Sequence, residues 1–113
     1  MRIPADAILL RIFIGEKDRH KGKPLHEAIV LQAREMHLAG ATVLRGPMGF
    51  GASSRLHTAK ILRLSEDLPI VIEIVDAKDK IDAFLVELDT MMGSGLVTLE
   101  QVQVLRYGDQ PVK

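Results

Sequence analysis

Two stretches of this sequence are apolar at nearly every position: AILLRIFI at residues 7–14, interrupted only by Arg11, and LPIVIEIVD at 68–76, with Glu73 inside it. The first is too short to span a bilayer, and the second, β-branched and opening beside Pro69, is the clearest strand in the chain. A strand that is apolar on both faces needs cover on both. If Ile8, Leu10, Ile12 and Ile14 face one layer, then Leu9, Arg11 and Phe13 face the other; Ile70, Ile72 and Ile74 oppose Val71, Glu73 and Val75 in the same way. Helices can cover one side. The other would leave more apolar surface in water than a soluble monomer usually shows, so an obligate oligomer is expected. Arg11 and Glu73, on neighbouring central strands, would then pair across the sheet and make two costly charges tolerable.

The remaining elements follow from spacing and punctuation. Gly15 stops the first strand, and the charged loop GEKDRHKGK follows. Pro24 stands where a first helical residue would, and Leu25, Ala28, Ile29, Ala33 and Met36 keep helical spacing up to Gly40, a natural stop. A second strand is expected over 41–45. Asp76 is placed to cap a helix whose narrow apolar stripe is Ile81, Phe84, Leu85 and Leu88. Gly93-Ser94-Gly95 breaks that helix. Residues 96–107 read as a fourth strand whose alternation changes phase at Glu100 and Gln101, which predicts a bulge or bend there. The tail, 108–113, is expected to be loose.

The order β-α-β-β-α-β is the split βαβ, or ferredoxin-like, α+β arrangement, here as a single domain over 1–113. Two right-handed crossovers put both helices on one face of a four-stranded antiparallel sheet, with the first and third strands central. The topology then brings three glycine-bearing loops to one end of the sheet: 15–23, 46–60 and 93–95. That convergence is the expected location of a site.

Composition narrows the function. Fifteen basic and fifteen acidic residues cancel, and three Phe, one Tyr and no Trp supply little for base stacking, so nucleic acid is not an expected partner. The absence of cysteine excludes disulfides, thiolate catalysis and cysteine-type zinc sites and fits a reducing compartment. Because the run at 7–14 is too short to span a bilayer and lacks a leader pattern, a cytoplasmic protein without direct membrane insertion is expected. Gly46, Gly49 and Gly51 have neither the Walker spacing nor the dinucleotide fingerprint. The connection that holds them is longer than compact domains usually need, which points to function. Lys17, Arg19, Lys21 and Lys23 precede a helix N-terminus that favours an anion, though Glu16 and Asp18 dilute the field. His20, His26, His37 and His57 lack ligand spacing, so no metal is expected. Ser53, Ser54 and His57 are near one another without an acidic orienter, so no catalytic residue is assigned and no enzyme is expected.

With topology and loops in place, the chain resembles the PII signalling superfamily. Over nearly its full length it is similar to a PII-like family of uncharacterised bacterial and archaeal proteins. The stretches that carry this are RIFIGEKDRHKGKPLHEAIV (11–30), LAGATVLRGPMGFGASSRLHTAKILRLSEDLPIVIEIVD (38–76) and GLVTLEQVQVLRY (95–107). The resemblance implies a trimer that binds adenine nucleotides between subunits and uses a long loop, here about 49–64, to engage a membrane transporter or a regulatory protein. Gly49, Phe50 and Gly51 match the Gly-Phe-Gly at the foot of the PII loop, and His57-Thr58 matches its His-Thr. Gly93-Ser94-Gly95 falls where PII proteins have Gly-Asp-Gly, and Arg106 lies near a strand-four arginine that reaches a neighbour's phosphates.

The departures are chemical. Ala52 and Ser53 replace Arg-Gln, Leu96 replaces a phosphate-binding lysine, and the lone tyrosine, Tyr107, is outside the loop. Charge-assisted contacts contribute about 1.5–3 kcal/mol each, so ATP binding of the PII type loses much of its support. AMP, ADP or a cyclic nucleotide would lose less. What the resemblance implies is thus a non-enzymatic regulatory protein with an adenine nucleotide (AMP, ADP, ATP or cyclic) as effector and no required cofactor. Gly49 and Gly51 would admit the ligand to the backbone, Ser53 and Thr58 would offer hydroxyls, Arg55 and Lys60 charge, and Arg106 would act across the interface. Lys21, Lys23 and Arg45 are secondary anion partners. The alternative is a structural or metal-associated trimer of PII- or CutA-like architecture that senses no nucleotide.

Overall fold

The computed structural model describes residues 2–52, 57–58 (backbone only) and 67–112. Its main elements are β1 Asp6–Gly15, α1 Leu25–Glu35, β2 Thr42–Arg45, β3 Pro69–Asp76, α2 Lys78–Met91 and β4 Leu96–Gln103. The sheet order is β2-β3-β1-β4 with every neighbouring pair antiparallel, so the two apolar runs are the central strands. Their register sets Leu10 opposite Ile74 and Ile12 opposite Ile72. These side chains are fully buried beneath Leu25, Ile29 and Ala33 of α1 and Ile81, Phe84 and Leu88 of α2. Each helix therefore buries one stripe at helical spacing, and both cover the same face of the sheet.

The opposite face is open. Leu9, Phe13, Val71 and Val75 are half-buried there, and Leu44 and Leu96 are exposed. Arg11 Nε donates to Glu73 Oε2 at 2.9 Å, the expected cross-sheet pair, and Nη1 donates to Glu100 Oε1 at 3.0 Å, a partner not foreseen. The bond to Glu73 is the largest influence raising the guanidinium's pKa above its ordinary value; the bond to Glu100 adds to it while partial desolvation opposes.

Four local expectations are corrected. Helix α1 does not run to Gly40: His37 adopts φ 61° and closes a Schellman turn, with its N–H on Arg34 O at 3.1 Å and Leu38 N–H on Ala33 O at 3.0 Å. Lys80 Nζ donates to His37 O at 3.0 Å and Met36 O at 3.4 Å, the carbonyls of the turn that ends the helix. Pro24 is the cap of α1 rather than its first turn. Asp76 does not cap α2, whose N-cap is Ala77; its buried carboxylate accepts from Ala39 N at 2.8 Å and Ala77 N at 2.7 Å, tying the α1–β2 loop to the end of β3. And β4 has no bulge at Glu100–Gln101, because it pairs with β1 without interruption from Leu96–Phe13 to Gln103–Asp6. The polar residues there have another cause: Glu100 meets Arg11, and Gln101 lies exposed on an edge strand.

Past Val104, whose N–H still bonds Ala5 O at 2.7 Å, the backbone turns away. Where loose chain was expected, Arg106–Tyr107 pairs with Gln110–Pro111 around Gly108, Val112 N–H bonds Leu105 O at 2.9 Å, and Tyr107 Oη donates to Ala39 O at 2.6 Å.

Candidate functional site

The floor of the site is the start of β3. β1 ends with Gly15 opposite Pro69, and β2 ends with Arg45 opposite Ile70, so the two outgoing chains flank the incoming one. Backbone bonds fasten all three: Glu16 N–H to Leu68 O and Gly46 N–H to Pro69 O, both at 2.8 Å. Carboxylates do the same from the sides, Asp18 accepting from Gly15 N at 2.9 Å and Asp67 from Lys17 N at 3.0 Å. The fourth contribution is Gly95, with φ 130°, where β4 begins beside Phe13. The described parts of the three segments read from topology therefore meet at one end.

The glycines differ in what they do there. A Cβ at Gly46 would stand 3.0 Å from Pro69 Cγ and one at Gly49 3.3 Å, so these two let the chain press onto the proline ring. Gly51 and Gly93 face open space. A Cβ at Gly95 would lie 2.8 Å from Phe13 O, so the crowding comes from the protein's own backbone. Phe50 is 71% exposed beside this run. Beyond it, Met48–Gly49 pairs with His57–Thr58, which returns Thr58 to the foot of the loop. Ser53, Arg55 and Lys60 lie outside the described residues.

The cationic candidates separate into three positions. Lys21 (φ 49°) and Gly22 (φ 81°) are the two central residues of a tight hairpin in which His20 faces Lys23. Positive φ at both is the type I′ signature, so both lysines ride on an ordered turn leading into α1. Arg45 forms an ion pair with Glu16, so it is not a free anion partner as the structure stands. Arg106 lies beyond the far end of β4, roughly 25 Å along the strand from Gly95. There its Nη1 donates to Asp109 O at 3.3 Å. That end also holds an open cleft of about 940 Å³ lined by Arg2, Ile3, Pro4, Tyr107 and 108–112. One chain does not bring Arg106 to the glycine end.

Sequence reasoning did not single out Glu16, Asp67 or Pro69 as parts of this end. Nothing local marks them, since their roles arise from contacts between segments some 20 to 54 residues apart. Among the described residues, no cluster of three or more His, Asp or Glu could hold a metal, and no helix is long and apolar enough to cross a membrane.

Residues 7–104 match DUF190, a family described as "Uncharacterized ACR". A UPF0166 protein of Aquifex aeolicus (strain VF5) is 40% identical over 97 residues, covering 86% of this chain and 91% of that one. The UPF0166 protein MJ1524 of Methanocaldococcus jannaschii is 30% identical over 101 residues, covering 88% and 93%. Among solved structures, CPII of Thiomonas intermedia K12, a nitrogen regulatory PII-like protein bound to ADP, AMP and bicarbonate, aligns with a TM-score of 0.65. It is 16% identical, with 89% of this chain and 90% of that chain covered. A second structure of CPII, bound to ADP and bicarbonate, aligns at 0.62. The fold is PII-like.

Proposed function

Because the chain belongs to the DUF190 family and has the PII-like fold, we propose that it is a non-enzymatic regulatory protein of the cytoplasm that binds an adenine nucleotide between copies of itself. The observation that carries this reading is the meeting of Gly15–Glu16, Arg45–Gly49, Asp67–Pro69 and Gly95 at one sheet end. CPII, of the same fold, is bound to ADP and AMP, which supports an adenine nucleotide as the ligand class. Gly49 and Gly51 admit the ligand to the backbone, Phe50 offers an exposed ring, and Thr58, with Ser53, Arg55 and Lys60 of the loop, supplies polar contacts. Gly93 and Gly95 border the site, and Lys21, Lys23 and Arg45 lend positive charge. Arg106 reaches the phosphates from a neighbouring copy, which the separation along β4 requires.

The oligomer is a trimer with the open sheet face turned inward. The ligand orders the loop over 49–64, and the ordered loop is what a transporter or regulatory partner recognises. No turnover is needed for this, because the ligand acts by shifting a population.

The test is a thermal-shift series with ATP, ADP, AMP, cyclic nucleotides and divalent metals. At a hundred times its Kd a ligand adds about 2.7 kcal/mol. For a chain of this size that is a rise of roughly 10 °C. A rise with nucleotides, abolished by Arg106→Ala, is the expected result. A rise with metals alone would select the structural trimer, and hydrolysis of the bound nucleotide would replace the regulator with an enzyme.

A further inference from the structure

Arg45 is the one cation in residues 45–52, next in the chain to Gly46, and its guanidinium is held by Glu16. The contact is unusual in what it spans. β1 and β2 are not neighbours; β3 runs between them, so the two backbones are about 10 Å apart. Two long side chains reach across β3 to close that distance. The alternation that points Ile14 and Ile70 toward the helices puts Glu16 and Arg45 on that same side, the side from which the Lys21–Lys23 hairpin enters α1.

The two partners are unequally fixed. Glu16 is 21% exposed, its N–H is bonded to Leu68 O, and the preceding Gly15 is locked opposite Pro69. Arg45 is 59% exposed on a flexible stem at the last position of β2. An anion arriving over the glycine run can therefore draw the guanidinium outward while the carboxylate stays. From these observations we propose that Glu16 is an internal competitor: its carboxylate occupies Arg45 until an effector phosphate takes its place, and so sets the affinity of the site. This deepens the nucleotide reading given above and rests on it. A phosphate outbids a carboxylate because it carries more charge and more acceptor oxygens. The site then discriminates between phosphorylated ligands and the carboxylates of ordinary metabolites.

The experiment is ADP binding by calorimetry to the parent oligomer, Glu16→Gln, Arg45→Ala and the double variant, each checked for unchanged mass and melting temperature. Glu16→Ala serves as a second variant in case the glutamine keeps a hydrogen bond to Arg45. An exposed ion pair is weak, so folding should survive its removal. The expected result is that Glu16→Gln tightens ADP about fivefold, that Arg45→Ala weakens it, and that Glu16→Gln brings no gain once Arg45 is gone. If the parent binds ADP and both Glu16 variants bind it equally or less well, the competitor role is overturned while the nucleotide reading stands. A gain that persists without Arg45 overturns it too, since Glu16 would then act only through net charge. If neither the parent nor any Glu16 variant binds ADP, the nucleotide reading falls and the competitor falls with it. Binding by Glu16→Gln alone would show the competitor at full strength.

Discussion

Gly95→Ala separates a structural glycine from a ligand-contacting one. The residue sits at φ 130°, a region closed to side chains with a Cβ, and the added methyl would approach Phe13 O at 2.8 Å and Ile14 Cγ2 at 3.3 Å. Met92 Cε, at 2.6 Å, can swing aside because it ends a flexible side chain; Phe13 O cannot, because it belongs to a central strand. Backbone strain of this kind costs about 1–3 kcal/mol. Adding the displacement of β4 from β1, a loss near 3 kcal/mol is expected, or roughly 12 °C in melting temperature for a chain of this length. Gly93→Ala is the control, since nothing lies within 4 Å of its Cβ and its φ is not positive. It should melt within about 2 °C of the parent. The assay is thermal unfolding without nucleotide, followed by circular dichroism at fixed protein concentration. Equal melting of Gly95→Ala and the parent would refute the reasoning, because it would mean that β4 does not start against Phe13 as described. A loss seen only with ADP present would assign Gly95 to ligand contact instead.

Asp76→Ala should lower stability by about 3 kcal/mol, since two N–H groups lose a buried carboxylate acceptor; urea unfolding at unchanged m-value measures it, and Asp76→Asn should lose about half as much. Arg11→Ala leaves Glu73 and Glu100 on one sheet face without their shared cation, so the proposed oligomer should dissociate. Light scattering at pH 7.5 decides it, and a parent-sized particle would count against the open face as the interface.

Legibility in the sequence tracked the range of the interactions. The two central strands, both helical stripes and the Arg11–Glu73 pair could be read because strong period-two and helical patterns constrain which faces meet. Glu100 could not, since a partner on β4 becomes visible only when the β1–β4 register is known. The helix stop at Gly40 was misread for a related reason. His37 takes the left-handed turn because Leu38 is buried against the core and Lys80 reaches across from α2, and neither contact is local. At the candidate site, topology located the converging segments, but the ion pair that binds Arg45 to Glu16 depends on the order β2-β3-β1, which only the assembled sheet specifies.

That sheet order also makes assembly and ligand binding a single physical question. Gly95 and Arg106 bracket the length of β4, so no ligand of nucleotide size touches both within one chain. The open face, with Leu9, Phe13, Val71 and Val75 half-covered around Arg11, is where another copy would bring them together. A variant dissociated by Arg11→Ala should then lose ADP together with its partner, although Arg11 lies on a face turned away from the Arg45–Glu16 pair. If the separated chains kept ADP at the parent affinity, the phosphates would have to be held entirely from the glycine end. Arg45 and the Lys21–Lys23 hairpin would carry the charge alone, Arg106 would be released from any role, and the site would belong to one chain rather than to the space between two.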